Sequence, residues 1–310
     1  MIAEQEKVDY KKRIGELGQF IGNTPLLPIT KVFNKPGVQL FAKLEWQQIG
    51  ESVKARPAYN IIKDAVNNGL LTPGKELLDA TSGNTGIAYA SIGASLGIPV
   101  TLCLPENASE ERKTILKAYG AKIIYTSPYE GTDGSQTYAK QLFTQEPDKY
   151  FYADQYANNS NWQAHYHTTG PEIFRQTNGQ ITHFVTGLGT TGTFTGTGRR
   201  LKELNPDITL ISFQPDSPMH GMEGWKHLET AIVPKIYDKD LADDNLGIDT
   251  MDAYDLIKAT AREEGILLSP SAAANLAGAI KVANSIENGV VVTMFPDNAA
   301  KYSEVINSIF

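Results

Sequence analysis

One lysine and three short turns carry the side chains of this sequence that could do chemistry. Lys54 stands just before an apolar run with helical spacing, and the turns cover residues 81–86, 187–193 and 269–271. A lysine amine can form a Schiff base with an aldehyde. Turns rich in glycine and hydroxyl groups bind anions where they lead into a helix. Together these stretches predict one ligand site with four walls.

The turn at 187–193 has the composition of a phosphate site. It reads Gly-Leu-Gly-Thr-Thr-Gly-Thr between a predicted strand and a predicted helix. Its glycines let the backbone approach a ligand closely, and its N–H groups and the helix dipole favour phosphate. A plain tight turn is the alternative. The spacing matches neither the nucleoside-triphosphate P-loop nor the dinucleotide fingerprint.

The turn at 81–86 offers the hydroxyls of Thr81, Ser82 and Thr85 and the amide of Asn84. Such a turn at a helix start can receive a carboxylate, for example that of an amino acid. A capped helix start with no ligand is the alternative. A phosphate site, a carboxylate site and Lys54 together suggest pyridoxal phosphate acting on an amino acid.

The elements around these turns alternate between strand and helix. Apolar spacing predicts strands at 38–45, 76–80, 99–104, 122–126, 182–186, 209–214 and 289–295. It predicts helices at 57–68, 87–96, from 109, and at 134–145, 195–204, 250–264 and 272–284. This order indicates an α/β fold, a parallel sheet with helices on both faces. The segment 215–249 has weak periodicity and is expected to be a functional surface loop or a bridge between lobes.

Composition limits the class of protein. The chain has 310 residues, 41% of them apolar, which suits two domains or lobes. Its net charge of −7 argues against nucleic acid as the main partner. The single cysteine, Cys103, lies in an apolar run and is expected to be a buried thiol. No apolar run resembles a secretory signal or a membrane helix, so a soluble cytoplasmic protein is expected.

The motifs together resemble a known family. They are Ile21-Gly22-Asn23-Thr24-Pro25-Leu26, the stretch around Lys54, the two turns, Thr168-Thr169-Gly170-Pro171-Glu172-Ile173, and the end of the last strand near Asp297. They resemble the cysteine synthases (O-acetylserine sulfhydrylases), and most closely the B-type isoform. These belong to the fold type II pyridoxal-phosphate enzymes of the β-family. The resemblance implies two lobes, each a largely parallel twisted sheet flanked by helices, as in the tryptophan synthase β-subunit.

The resemblance also implies lobe boundaries and residue roles. The larger, cofactor-binding lobe would hold residues 1–55 and 158–310, and the smaller, mobile lobe residues 56–157. Lys54 would carry the cofactor as a Schiff base and then remove the α-proton of the substrate. The other implied contacts are Asn84 with the ring oxygen, Ser271 with the pyridine nitrogen, Gly189, Thr190, Thr191, Gly192 and Thr193 with the phosphate, and Thr81, Ser82, Thr85 and Gln155 with the substrate carboxylate. No metal site is expected.

The implied reaction is a ping-pong β-replacement. O-acetyl-L-serine would lose acetate to leave an aminoacrylate on the cofactor, and a sulfur nucleophile would then add to give L-cysteine. O-phosphoserine sulfhydrylase activity and a cystathionine β-synthase-like condensation are the alternatives. A pyridoxal-phosphate-bound regulatory subunit without turnover is a third. The family resemblance further implies a homodimer acting on small molecules, with no membrane partner.

Two features bear on these alternatives. The family usually has glycine where this chain has Glu51, and a carboxylate three residues from Lys54 could change the pKa of the lysine or repel an anionic donor. The other reading of Glu51 is a side chain that points to solvent. Lys226 or His220 could read the phosphate of an O-phosphoserine donor. A solvated lysine and a packed histidine are at least as good an interpretation.

Overall fold

The computed structural model describes residues 9–81 and 83–310. Within these residues the chain is an α/β structure with a six-stranded and a four-stranded sheet. The strands are β1 (Leu26–Ile29), β2 (Val38–Leu44), β3 (Glu76–Ala80), β4 (Val100–Pro105), β5 (Lys122–Thr126), β6 (Tyr150–Tyr152), β7 (His183–Gly187), β8 (Thr209–Pro215), β9 (Asp244–Ile248) and β10 (Gly289–Phe295).

The helices lie between these strands and at the ends of the described chain. They are α1 (Tyr10–Leu17), α2 (Ala55–Asn67), α3 (Asn84–Leu96), α4 (Glu110–Ala118), α5 (Gly131–Gln145), α6 (Asn159–His167), α7 (Thr169–Gln176), α8 (Gly192–Leu204), α9 (Thr250–Glu263), α10 (Pro270–Ser285) and α11 (Ser303–Ile309). Two short 3₁₀ turns, Gly18–Phe20 and Ala299–Lys301, accompany them. None of the described helices is long and apolar enough to cross a membrane.

The six-stranded sheet has the order β1-β2-β10-β7-β8-β9. Only β1 pairs antiparallel, and the remaining neighbours pair in parallel. Helices α9 and α10 cover one face with side chains such as Ile257 and Leu276, while α7 and α8 cover the other with Ile173 and Phe194. Both faces are therefore buried, as parallel sheets require.

The four-stranded sheet has the order β5-β4-β3-β6 and is parallel throughout. On one face, Leu77 and Leu102 pack with α2 and α3, and Ile14 and Leu17 of α1 join the same cluster. On the other face, Leu78 and Cys103 pack against α5. The turns after β3 and after β7 each lie at the carboxyl edge of their own sheet, the edge where parallel sheets bind ligands.

The predicted alternation of strand and helix is confirmed, and Cys103 is buried inside β4 as expected. The segment 215–249, interpreted as a loop, ends in β9. This strand pairs only with β8 and alternates poorly in burial, so its sequence lacks the usual strand signal. The helix predicted from 109 is α4, and the Ser109 side chain that precedes it makes no capping hydrogen bond.

Candidate active site

A cavity of about 470 Å³ lies where the predicted turns meet. The residues that line it include Lys54, Thr81, Asn84, Thr85, Gln155, Gly189, Thr190, Thr191, Thr193 and Ser271. Gly192 is the first residue of α8, directly beside this lining. Ser82 lies outside the described residues. The fold thus brings together side chains that are more than 200 positions apart in the sequence.

Lys54 stands immediately before α2 and lines the cavity. The N–H of its neighbour Val53 donates to the carbonyl of Pro296 at 2.7 Å, which ties this stretch to the end of β10. Burial lowers the pKa of the Lys54 amine to about 8, and the charge of Asp297 partly opposes that shift. At pH 7 about one tenth of the amine is therefore unprotonated and able to act as a nucleophile or base.

Glu51 is exposed. Its main-chain carbonyl accepts a hydrogen bond from Lys301 Nζ at 3.0 Å. The pKa shift of Lys54 is caused first by burial and second by Asp297. The solvent-facing interpretation of Glu51 therefore fits the structure. The φ of this residue is +49°, in the left-handed region, which gives a physical reason for a glycine at the position.

We expect Glu51→Gly to raise the free energy of unfolding by about 1 kcal/mol, because glycine adopts a positive φ without the steric cost of a Cβ. Urea unfolding of the cofactor-free protein measures the change. Glu146 is a matched control, since its φ is −128°. Glu146→Gly should lower the stability. A midpoint for Glu51→Gly at or below that of the parent protein would contradict the expectation.

The turn after β3 leads directly into α3, so the helix N-terminus faces the cavity. Thr81 Oγ1 accepts the N–H of Gly83 at 3.1 Å. Thr85 Oγ1 donates to Gln155 Oε1 at 2.7 Å, and Gln155 Nε2 donates to the Ala80 carbonyl at 2.8 Å. These bonds fix a set of hydroxyl and amide groups at the positive end of a helix, where a carboxylate is stabilised.

The turn after β7 ends at Thr191, whose φ of +69° places the chain in the left-handed region just before α8. A Cβ at Gly192 would lie 2.0 Å from Asn161 Oδ1, so only glycine fits there. Asn161 Nδ2 in turn donates to Thr190 Oγ1 at 3.2 Å. Thr191 Oγ1 is buried and has no hydrogen-bond partner among the described residues. This geometry suits an anion held by hydroxyls and first-turn N–H groups.

Ser271 lies in the first turn of α10 and lines the cavity. The helix is capped by Ser269, whose Oγ accepts the N–H of Ala272 at 3.2 Å and lies 3.3 Å from Ser271 Oγ. One turn further, Asn275 Oδ1 accepts the N–H of Gly187 at 2.7 Å. The start of α10 is thus joined to the end of β7, which fixes the Ser271 hydroxyl in the wall.

The residues present fit pyridoxal phosphate, the cofactor that the family resemblance implies. The group needs an amine, an anion cradle at a helix start and polar partners for its ring. Lys54 supplies the amine, and the turn before α8 supplies the cradle. Asn84 Oδ1 and Thr191 Oγ1 are buried polar atoms without a partner in the described chain, and a polar ligand would satisfy them.

The outer part of the cavity carries charged side chains that pair with one another. Arg112 forms an ion pair with Glu223, and Lys226 Nζ lies 2.6 Å from Asp133 Oδ1. Burial lowers the pKa of His220, and its Nδ1 accepts a main-chain N–H at 3.2 Å. The two residues suggested as phosphate readers, Lys226 and His220, are both engaged within the protein.

His165 of α6 lies behind the turn that precedes α8. The described residues hold no group of three or more His, Cys, Asp or Glu side chains that could bind a metal ion. Burial lowers the pKa of His165 to about 3, so its ring is neutral. Its Nδ1 lies 2.9 Å from Thr169 Oγ1, and its Nε2 lies 3.3 Å from Thr193 Oγ1. The His165 ring therefore contacts Thr193, one of the residues predicted to bind the phosphate.

Sequence reasoning missed two groups near the site. One is a buried ionic cluster of Arg56, Glu45, Glu172 and Lys43, centred two residues after Lys54. The other is Asp297, which follows β10 and contacts Asn84. The motifs around 21–26 and 168–173 mark parts of the cluster in the sequence, but nothing in their local pattern shows that they meet.

Comparisons with known proteins show the family to which the chain belongs. Residues 17–297 match the family model described as pyridoxal-phosphate dependent enzyme. The chain is 47% identical to a cysteine synthase of Aquifex aeolicus over 94% of this chain and 92% of that protein. It is 39% identical to cysteine synthase B of Pseudomonas aeruginosa, over 91% and 93%. A crystal structure of cysteine synthase from Entamoeba histolytica superposes with a TM-score of 0.87 at 30% identity, over 100% of this chain and 98% of that chain.

Proposed function

This chain belongs to the family of pyridoxal-phosphate-dependent enzymes, and from this premise we propose that it makes L-cysteine from O-acetyl-L-serine and a sulfur nucleophile. The main support for this proposal is the amine of Lys54, which lines the cavity and whose pKa is lowered to about 8. The similarity to cysteine synthases over more than nine tenths of the chain assigns the reaction class. The protein is an enzyme of the cysteine synthase type.

The cofactor would be held by residues from three walls of the cavity. Lys54 would hold its aldehyde carbon, Asn84 its ring oxygen and Ser271 its pyridine nitrogen. The phosphate would lie in the turn before α8, against Gly189, Thr190, Thr191, Gly192 and Thr193. When bound, pyridoxal phosphate supplies an electron sink that acidifies the α-proton of an amino acid and assists loss of a β-substituent.

Lys54 would take the α-proton and later return it. A base works best when its pKa lies near the working pH, and burial brings the pKa of Lys54 close to that range. Asp297 opposes part of the shift, so the protonated form is also kept accessible. The same side chain can therefore accept a proton in the first half-reaction and donate it in the second.

The substrate carboxylate would bind at the start of α3. Thr81 and Thr85 line the cavity there, and Gln155 is fixed beside them by its bond to the Ala80 carbonyl at 2.8 Å. Ser82, also predicted to bind the carboxylate, lies outside the described residues. The positive end of the helix would orient the carboxylate and so fix the position of the α-carbon relative to Lys54.

The outer cavity favours an acetyl ester over a phosphate ester. A phosphoserine side chain brings about two negative charges at neutral pH. Arg112 and Lys226 are already paired with Glu223 and Asp133, so a phosphate would have to displace a carboxylate. Acetate, by contrast, leaves from an uncharged ester. O-acetylserine is therefore the proposed donor.

Product analysis with competing donors tests this function. The holoenzyme is given O-acetylserine, O-phosphoserine or serine, each with sulfide or homocysteine, and products are separated by chromatography. Cysteine from O-acetylserine and sulfide is the expected main product, with O-phosphoserine at least about tenfold slower because of the paired cations. Cystathionine as the main product would replace this function by the condensation, and binding of cofactor without any product would indicate a non-catalytic subunit.

Three further features are part of the same proposal. The family resemblance supports a homodimer that acts in the cytoplasm. It also supports a larger lobe of residues 1–55 and 158–310 and a smaller, mobile lobe of residues 56–157. The four-stranded sheet lies between residues 76 and 152, inside the range proposed for the smaller lobe. Sedimentation of the purified protein and protection from hydrogen exchange with and without O-acetylserine would test the dimer and the mobile lobe.

A further inference from the structure

Asp297 is a fully buried carboxylate at the end of the central strand β10. One of its oxygens, Oδ2, accepts two hydrogen bonds, from Asn84 Nδ2 at 2.7 Å and from the Tyr302 hydroxyl at 2.6 Å. Its other oxygen, Oδ1, is buried and has no hydrogen-bond partner among the described residues. Burial of a carboxylate oxygen without a hydrogen-bond partner costs free energy of folding, so a functional role is the natural explanation for Asp297.

The backbone around Asp297 reaches the other walls of the cavity. Its main-chain carbonyl lies 3.3 Å from Ser269 Oγ, the hydroxyl that lies 3.3 Å from Ser271 Oγ. The preceding carbonyl, that of Pro296, accepts the N–H of Val53 at 2.7 Å, one residue before Lys54. The dipeptide Pro296–Asp297 after β10 therefore contacts all three residues proposed to hold the cofactor. It contacts Asn84 directly, and it reaches Lys54 through Val53 and Ser271 through Ser269.

We propose that Asp297 is a positioning residue that orients the Asn84 amide and supplies the negative charge facing Lys54. The inference rests on the proposed function, because Asn84 and Lys54 matter as cofactor contacts only in that function. The carboxylate fixes Asn84 Nδ2, so the Asn84 Oδ1 atom, which has no partner in the described chain, has a defined direction. The amide thus meets its ligand already oriented.

The same carboxylate acts on Lys54 through its charge. Burial lowers the pKa of Lys54 to about 8, and Asp297 is the carboxylate that counteracts this shift. Of the other titratable groups, His165 on α6 is neutral, since burial lowers its pKa to about 3. Two other cations interact with Asp297: the buried Lys301, and Arg112, which pairs with Glu223 and lies over the Tyr302 ring. Lys226, paired with Asp133, and the exposed Glu130 also line the cavity.

Two substitutions separate geometry from charge. Both hydrogen bonds end on the same oxygen, so the amide oxygen of Asp297→Asn can accept both of them while the negative charge is lost. Asp297→Ala loses the bonds and the charge together.

Two further variants are controls. Tyr302→Phe removes one donor and keeps the bond to Asn84. Asp148→Asn removes an exposed carboxylate and is the control for a change of net charge alone.

The first test uses the cofactor-free full chain. The rate of acylation of Lys54 by an amine-reactive ester is followed against pH by peptide mass spectrometry, which gives the pKa of that amine. We expect Asp297→Asn and Asp297→Ala to lower this pKa by about one unit, and Asp148→Asn to leave it unchanged. Thermal unfolding of each variant checks that it is folded. An unchanged Lys54 pKa in Asp297→Asn, the variant that keeps the shape, would overturn the proposal.

The second test measures the dissociation constant of pyridoxal phosphate by absorbance titration. Asp297→Ala should weaken binding about ten- to a hundredfold, the range seen when an outer partner of a ligand-binding side chain is removed. Tyr302→Phe should stay within about tenfold of the parent protein, since it loses one ordinary hydrogen bond. Equal affinity in Asp297→Ala and the parent would overturn the positioning role. Neither the pKa of Lys54 nor the dissociation constant of the cofactor depends on which product is formed. The two tests therefore decide this inference even if the proposed donor, O-acetylserine, is wrong.

Discussion

Replacing Lys54 with alanine should reduce cysteine formation by at least about a thousandfold, since it removes both the covalent attachment of the cofactor and the proton acceptor. The amine lines the cavity beside the turns that would hold the phosphate and the carboxylate. The other lining residues that the three turns contribute offer hydroxyls and amides, which are poor bases at neutral pH. We expect the visible absorbance of the lysine-bound cofactor to disappear as well.

Lys63 provides a matched control for this substitution. It lies on the same helix, α2, but is exposed and rests over the ring of Tyr59. Lys63→Ala should keep the cofactor absorbance and the turnover. Addition of a small primary amine to Lys54→Ala should restore part of the rate, because a diffusible base can enter the cavity left by the side chain. Turnover in Lys54→Ala within tenfold of the parent would contradict the assignment.

Much of the fold and part of the site could be predicted because their signals are local. Strands β3, β5 and β10 have the residue bounds expected from the sequence, since each is a short apolar run between turn residues. The two glycine-containing turns follow strands and precede helices, so their position at the cavity follows from parallel topology. Placement of these residues around the cavity is observed, whereas the role of each one remains a prediction that the experiments above test.

What the sequence did not reveal depends on contacts between distant segments. Helix α6 is short and rich in polar residues, so its spacing gave no clear periodic signal. Helix α7 is amphipathic, but it spans only eight residues and begins with Thr-Gly-Pro. The carboxylate partners of Arg56 are Glu45, just after β2, and Glu172 in α7, which are 11 and 116 positions away. Asp297 and Asn84 are 213 positions apart. No local pattern can state that such residues meet, because only the topology brings them together.

The cluster around Arg56 illustrates how such distant contacts support the site. Arg56 is 1% exposed and lies two residues after Lys54, in the first turn of α2. Its guanidinium donates to both oxygens of Glu45, at 2.7 and 2.8 Å, and to both oxygens of Glu172, at 2.7 and 2.8 Å. Lys43 Nζ lies 2.8 Å from Glu172, so two cations face two carboxylates. The start of α2 is thereby fixed to β2 and α7.

Arg56→Met should lower the free energy of unfolding by about 3–5 kcal/mol, because it leaves a buried carboxylate without its partner. That is a large share of the total stability of a typical domain, about 5–15 kcal/mol. Urea unfolding of the cofactor-free protein measures the loss without a contribution from ligand binding. Arg13→Met is the control, since the Arg13–Glu16 pair is about half exposed, and it should cost less than about 1 kcal/mol.

The pH dependence gives the same prediction a second, independent readout. Burial alone would raise the pKa of Glu172, but hydrogen bonds and charge from Arg56, aided by Lys43, lower it from 4.5 to about 2. The stabilisation from this carboxylate is therefore present above about pH 4.5 and is lost as the pH falls towards 2. In Arg56→Met the pKa of Glu172 should rise towards or above its unfolded value, because burial then acts against less opposing charge. The stability of this variant should therefore fall less between pH 4.5 and 2 than that of the parent protein.

The double variant Arg56→Met with Glu172→Gln tests whether the unpaired charge is the cause. Removing the carboxylate as well takes away one of the charges that Arg56→Met leaves buried, so the double variant should be more stable than the sum of the two single losses. The double variant should also lack the part of the pH dependence that comes from Glu172. Additive losses would mean that the charges of Arg56 and Glu172 are not coupled. A stability of Arg56→Met within about 1 kcal/mol of the parent would mean that the cluster contributes little net stability.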